Sequence, residues 1–199
     1  TGIAYHSGLI PMETIMTVVA RQFSLMNEAG YENFVVSCVT SFGIYVEMME
    51  TWKHFPETEE KTRKALMRAT GRTFEIPKNL VHASDVIYKF REKIGAKTKF
   101  KLVNVNTGEP LNVVDHIGCH YAKIFPSHGI GGAEYPYVLA GMIDEWGGQQ
   151  VDYPERRHCC GFGFRQYLLK SNRSYSVTNS KKKFDSMLPF KPDLIIANC

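Results

Sequence analysis

Cys159 and Cys160 are neighbours, and a single cysteine stands at a similar distance on either side. Thirty-nine residues separate Cys119 from the pair, and 38 separate the pair from Cys199. Bridging adjacent cysteines closes a strained ring with poor torsion geometry, so a structural disulfide is a poor use of the pair. Two neighbouring thiolates can instead point at one iron–sulfur cluster. The near-even spacing of the flanking cysteines argues against chance.

The rest of the composition sets wide bounds. A chain of 199 residues suffices for one sizeable core or two small lobes of about 100 residues each. With 44% hydrophobic and 22% charged residues it reads as an ordinary soluble globular protein. The formal charge of +4 leaves room for an acidic partner or a membrane surface and demands neither. No apolar run approaches the roughly 18 to 20 residues that span a bilayer. Five cysteines are an odd number and lack the spacing of a secreted disulfide framework, which favours a reducing compartment with thiolates serving a metal. The opening on Thr1 and the close on Cys199 lead us to expect a piece of a longer protein.

Along the chain, Met12, Ile15, Met16, Val19, Phe23 and Met26 form a helical stripe that Gly30 ends. Phe34 to Val36 reads as a short buried strand leading into Cys38, and Phe42 to Trp52 as a helix. Glu57 to Thr70 reads as a charged helix with Thr58 as N-cap and Gly71 as its stop. Ser84 to Ile94 reads as another helix. Phe100 to Val105 and Leu111 to His116 read as strands about the Thr107-Gly108 turn, and Pro126 to Gly132 as a loop. Pro136 opens a helix that Gly147-Gly148 stops, Gln150 to Tyr153 is a short strand, one or two helices fill Phe164 to Leu188, and Leu194 to Ile196 is a last strand.

Strands alternating with helices point to an α/β fold with short, largely parallel sheets flanked by helices. In such sheets, sites collect at the carboxyl ends of the strands, where Cys38 and Cys199 fall and Cys119 nearly falls. There is also an internal echo. Phe34-Val35-Val36-Ser37-Cys38 resembles Leu194-Ile195-Ile196-Ala197-Asn198-Cys199, and that register expects a further cysteine pair just before Thr1.

The cysteine pattern resembles the cysteine-rich CCG domain: a lead cysteine, a Cys-Cys-Gly word and a closing Cys-x-x-Cys. His116-Ile117-Gly118-Cys119-His120 is similar to the leading motif, and His158-Cys159-Cys160-Gly161-Phe162-Gly163 to the central one. By pattern the relatives are the B subunit of heterodisulfide reductase, the thiol:fumarate reductase subunit, and a subunit of some succinate dehydrogenases and quinol:fumarate reductases. The resemblance implies two pseudo-repeated lobes: residues 1–105 as the end of a first CCG-like domain with connecting helices, and residues 106–199 as a second one. Its gap after the pair is slightly longer than the family's, and a final cysteine is expected two residues past Cys199.

The resemblance further implies that Cys119, Cys159, Cys160 and Cys199 ligate a noncubane [4Fe-4S] cluster and carry the catalysis, with Cys38 as a ligand of a first cluster. Where the family closes that first site with a second cysteine, this chain reads Cys38-Val39-Thr40-Ser41. A serine hydroxyl stays protonated at neutral pH and is harder than sulfur, which puts the first cluster in doubt. The implied activity is reduction of a small disulfide to thiols by an oxidoreductase subunit. The implied partners are an iron–sulfur electron-donor subunit and, as a further candidate, a flavoprotein subunit. The expected place is the cytoplasm, with peripheral membrane association through the complex as the alternative.

Two other readings use the same thiols. One is an electron-transfer subunit of a succinate dehydrogenase or fumarate reductase linked to quinone; the other is a structural module stapled by zinc, which four thiolates also suit. Cys38 alone reads as a ligand, with a small core hydrophobe after a buried strand as the alternative. His116, His120 and His158 flank the thiols and could donate to cluster sulfur or move protons, with local packing at least as good an account; His6 stands in the same position toward the expected earlier pair. Lys181-Lys182-Lys183 reads as a solvated face. The glycines at 129–132 and 161–163 lack the dinucleotide fingerprint, and no aromatic–basic interleaving suggests nucleic acid.

Overall fold

The computed structural model describes residues 10–98, 101–123, 129–161 and 173–198. The chain divides into two compact units, Thr1–His82 and Ala83–Cys199.

The first unit is built on α1 (Met12–Glu28), β1 (Asn33–Val36), α2 (Val39–His54), α3 (Pro56–Thr70) and β2 (Asn79–His82). The apolar stripe of α1 is inward-facing as its spacing requires: Ile15, Met16, Val19, Ala20 and Phe23 are all buried. Helix α2 buries residues around most of its circumference, including Phe42, Ile44, Tyr45, Val46, Met48 and Trp52, so it is the central helix of the unit. The rings of Phe23, Phe34, Tyr45, Trp52 and Phe74 pack in tilted and edge-on pairs at 5.1–6.3 Å. Strand β1 pairs with β2 in parallel, with Phe34 opposite Leu80 and Val36 opposite His82.

Helix α3 starts one residue before its expected first turn. Pro56 occupies its opening turn, and Thr58 lies within the helix, donating its hydroxyl to the Phe55 carbonyl. A preset proline φ, with no N–H to leave orphaned, makes Pro56 the stronger start signal. Gly71 closes the helix at φ 69°, in the left-handed region. Strand β2 was not legible in the sequence: Asn79-Leu80-Val81-His82 is too short to show a period.

The second unit comprises α4 (Ala83–Lys89), α5 (Arg91–Lys97), β3 (Asn112–His116), α6 (Cys119–Ala122), α7 (Val138–Glu145), β4 (Gln149–Gln150), α8 (Arg173–Met187) and β5 (Leu194–Ala197). The expected single helix over 84–94 is two, joined at Phe90. Its sheet is parallel in the order β4-β3-β5. The central strand β3 is buried through Val113, Val114 and Asp115, as a strand covered on both faces must be. Val114 packs with Tyr153, Met187 and Val151, and α7 buries Val138, Leu139, Met142 and Ile143. The expected hairpin before β3 reduces to one antiparallel bridge, Val103 to Pro110, around Gly108 at φ 74°. The parallel α/β architecture expected from the sequence is the one observed. Among the described residues, no helix is long and apolar enough to cross a membrane.

Candidate cysteine site at the carboxyl end of the second sheet

Strands β3 and β5 run parallel in register, with Val113 opposite Leu194 and His116 opposite Ala197. Parallel pairing forces both carboxyl ends to the same edge of the sheet. The chain leaving β3 reaches Gly118 and then Cys119, the first residue of α6. The chain leaving β5 reaches Asn198, whose side-chain oxygen accepts the Gly118 N–H at 2.8 Å. The residue preceding Cys119 is thus tied to the residue preceding Cys199. Cys199 itself lies outside the described residues, as do Phe162, Gly163 and His6.

The cysteine pair arrives from a different direction. After β4 the chain turns through Tyr153–His158 and presents Cys159, exposed, and Cys160, partly covered. Gly161 follows at φ 83°, and a β-carbon there would lie 2.1 Å from the Ser176 carbonyl oxygen. Only glycine fits a backbone of that hand pressed so closely on a helix. The Cys-Cys-Gly word therefore has a geometric reason in its third letter.

Helix α8 holds this segment through a polar stripe at helical spacing. Ser176 donates to the Gly161 carbonyl, Ser180 to the Cys160 carbonyl at 2.6 Å, and Asn179 pairs with His158 Nε2 at 3.2 Å. One turn on, Lys183 Nζ donates to the carbonyls of Glu155, Arg156 and His158 at 3.0, 2.7 and 2.9 Å. The expectation of a solvated lysine run fails at this position. Lys181 and Lys182 are exposed, but Lys183 is 3% exposed, because the i, i+4, i+7 stripe from Ser176 turns it inward. Beneath the turn, Arg156 makes a forked pair with the fully buried Asp115, at 2.7 and 2.9 Å.

Cys119, Cys159 and Cys160 lie close enough to act on one another electrostatically. Burial pushes the Cys119 thiol up, and the charges of Cys159 and Cys160 push it further, while Lys123 and Lys183 oppose them. His116 Nδ1 is buried with no hydrogen-bond partner among the described residues. Burial, then the charge of Lys183, lowers the His116 pKa from 6.5 to about 4, so this imidazole is neutral near pH 7. His158 has a different use: Nε2 meets Asn179 and Nδ1 faces Glu155, which fixes the turn. Burial also lowers the pKa of His120. A cavity of about 130 Å³ opens beside Cys119, with Lys123, Tyr135, Arg156 and Arg157 on its walls.

Cys38 belongs to the other unit. It is exposed at the N-cap of α2, and burial alone would raise its thiol. Hydrogen bonds from Ser41 and from the Thr40 backbone outweigh that and hold it below the ordinary value. Ser41, the residue standing where the CCG pattern has cysteine, is thus a hydrogen-bond partner of Cys38.

No protein-family model matches the chain. Over its whole length it is 27% identical to the B subunit of the ferredoxin:CoB-CoM heterodisulfide reductase of Methanosarcina acetivorans. It is 25% identical over 150 residues to the B subunit of the ferredoxin/F(420)H(2)-dependent CoB-CoM heterodisulfide reductase of the same organism. The B subunit of a Methanosarcina mazei ferredoxin:CoB-CoM heterodisulfide reductase is 25% identical over 139 residues. The chain is thus similar to heterodisulfide reductase B subunits along its whole length. It spans 63% of the first relative's length, 48% of the second's and 44% of the third's.

An iron–sulfur group asks for several cysteine thiolates brought to one place. Among the described residues, no three His, Cys, Asp or Glu side chains are gathered to hold a single metal ion. Thiolates around a multi-iron assembly stand farther apart than those around one ion, and they come from several loops. Cys119 and the Cys159-Cys160 turn come from separate loops, with a glycine at 161 packed closely on a helix and two lysines whose charge acts on the Cys119 thiol. Sequence reasoning missed the α8 stripe of Ser176, Asn179, Ser180 and Lys183; its i, i+3, i+4, i+7 spacing was legible, but polar residues at that spacing are ordinarily a solvated face.

Proposed function

We propose that this chain is part of an iron–sulfur redox subunit in which Cys119, Cys159, Cys160 and Cys199 hold one noncubane [4Fe-4S] cluster, and that the whole protein reduces a small disulfide to two thiols. The observation that carries this reading is the meeting of Cys119 with the Cys159-Cys160 turn at the carboxyl edge of the β4-β3-β5 sheet, where β5 delivers Asn198 to Gly118. The names of the relatives favour disulfide reduction over a quinone-linked role. When bound, the cluster supplies electrons one at a time and an iron open to sulfur.

The remaining chemistry belongs to side chains. Cleaving a disulfide takes two electrons and two protons. The electrons come from an iron–sulfur donor subunit, with a flavoprotein subunit as a further member of the complex. His116, neutral and with a buried ring nitrogen that has no hydrogen-bond partner among the described residues, is the imidazole that would orient sulfur through a hydrogen bond. The lysines at 123 and 183 offset the negative charge that the thiolates bring to a partly buried place. The first-lobe site is altered, because Ser41 replaces a thiolate with a hydroxyl that already engages Cys38.

Anaerobic purification of the full-length protein with iron, sulfide and zinc analysis tests this directly. Iron and sulfide near four of each per second-lobe site are expected, with an electron paramagnetic resonance signal that changes on oxidation in the presence of thiol. A colourless protein holding stoichiometric zinc would show that the redox reading is wrong.

A further inference from the structure

Lys183 presents a problem of charge. Lysine is almost never buried unless paired, yet among the described residues the acceptors of this ammonium are three main-chain carbonyls. Three carbonyls at 2.7–3.0 Å take all three N–H bonds, and a neutral amine has only two. The group is therefore a cation, held 5.5 Å from the Tyr153 ring centroid. Carbonyl dipoles satisfy its protons but leave its net charge uncompensated. Cys119 and Cys160, when ionised as ligands, act on it first and Asp115 after them, with Lys123 opposing. Asp115 is already engaged by the fork of Arg156. The compensation left for Lys183 is the thiolate site.

We propose that Lys183 is a positioning residue for the cysteine site: its three carbonyl bonds fix the Glu155–His158 turn that presents Cys159 and Cys160, and its fixed positive charge favours the more negative, reduced form of the group those thiolates hold. The second part rests on the cluster reading above; the first does not. Both follow from one side chain placed by the Ser176–Ser180–Lys183 stripe of α8, so position and charge are delivered together. A buried charge is screened far less than a surface one, and it acts on the reduced state more than on the oxidised state because the reduced state carries the extra electron.

The test uses the full-length protein with its partner subunits, purified anaerobically, as wild type, Lys183→Gln and Lys183→Arg. Glutamine keeps an amide donor for the carbonyls and removes the charge; arginine keeps the charge and loses the three-carbonyl geometry. A redox titration followed by paramagnetic resonance reads the potential, and hydrogen exchange of the 155–161 amides in metal-free protein reads the turn. Lys183→Gln is expected to lower the equilibrium constant for one-electron reduction about tenfold, a shift of about 59 mV to more negative potential. Lys183→Arg is expected to leave the potential unchanged, and both variants to exchange the 155–161 amides at least tenfold faster than wild type.

An unshifted potential in Lys183→Gln would overturn the electrostatic role. A shift in Lys183→Arg as large as that expected for glutamine would overturn it too, even if the glutamine variant does not fold. Wild-type exchange rates in both variants would overturn the positioning role. A wild-type protein that binds no iron would sink the cluster reading alone, since the exchange measurement needs no metal.

Discussion

Gly161 shows how much a single residue decides at this site. Its positive φ is disfavoured for any L side chain, and the Ser176 carbonyl occupies the place of the missing β-carbon. Gly161→Ala is therefore expected to cost about 3 kcal/mol and to move the turn that carries Cys160; chemical denaturation of the metal-free protein reads the first effect. His116 gives a dependence on pH. Its folded-state pKa is depressed to about 4 from 6.5, so the unfolded chain binds the proton first as pH falls. Stability contributed by the neutral ring is complete above about pH 6.5 and is lost progressively down to about pH 4. The loss is about 2 kcal/mol after discounting for partial exposure, and His116→Gln removes it from the pH profile of the denaturation midpoint. Asp115 is fully buried and forked to Arg156, so Asp115→Ala leaves a partly buried cation with only the exposed Asp152 carboxylate, at 3.9 Å. A cost of about 3 to 5 kcal/mol is expected, seen as a lowered midpoint, whereas a cost below about 1 kcal/mol would mean that solvent already screens the pair.

At the scale of elements, the same physics that made helices easy to read concealed what they do. The stripe of α1 and the glycine stop of α3 are local signals, written in side-chain spacing and in one left-handed residue. Gly71 has nothing within 4 Å of its absent β-carbon, so Gly71→Ala tests the backbone alone: about 1 kcal/mol lost, with no change in the packing of neighbours. Helix α8 is the opposite case. Its stripe is polar, and a run of serine, asparagine and lysine at helical spacing is ordinarily bathed in water. Here it faces a turn whose carbonyls have no sheet or helix to satisfy them, and the donors of α8 fill that need. The short strands were legible only where apolar runs marked them: β1, β3 and β5 were, while β2 was not. Strand Asn79–His82 exists because β1 offers it a parallel partner, and pairing is a property of two segments.

For the whole molecule, the division into two compact units separates the cysteines into two groups. Cys160→Ser in the full-length protein is expected to remove the iron of one cluster, while Cys38→Ser leaves that iron in place; metal analysis of the two purified variants distinguishes them. Equal losses in both would mean that Cys38 and Cys160 serve one site. The sequence alone carried the architecture and, in its adjacent cysteines, the expectation of thiolate ligation on which the proposed function rests. Adjacent cysteines between two evenly spaced partners suit thiolate ligation, and alternating periods of two and 3.6 give a parallel sheet flanked by helices. Those properties are local or depend on spacing, so they survive in one dimension. Tertiary structure decided what surrounds the thiols: the register of β3 on β5 that ties Asn198 to Gly118, the close approach that demands Gly161, and the inward turn of Lys183. Burial of a charge is set by what covers it. That cover is supplied by residues about 25 positions earlier in the chain, which no reading of the lysine run alone can supply.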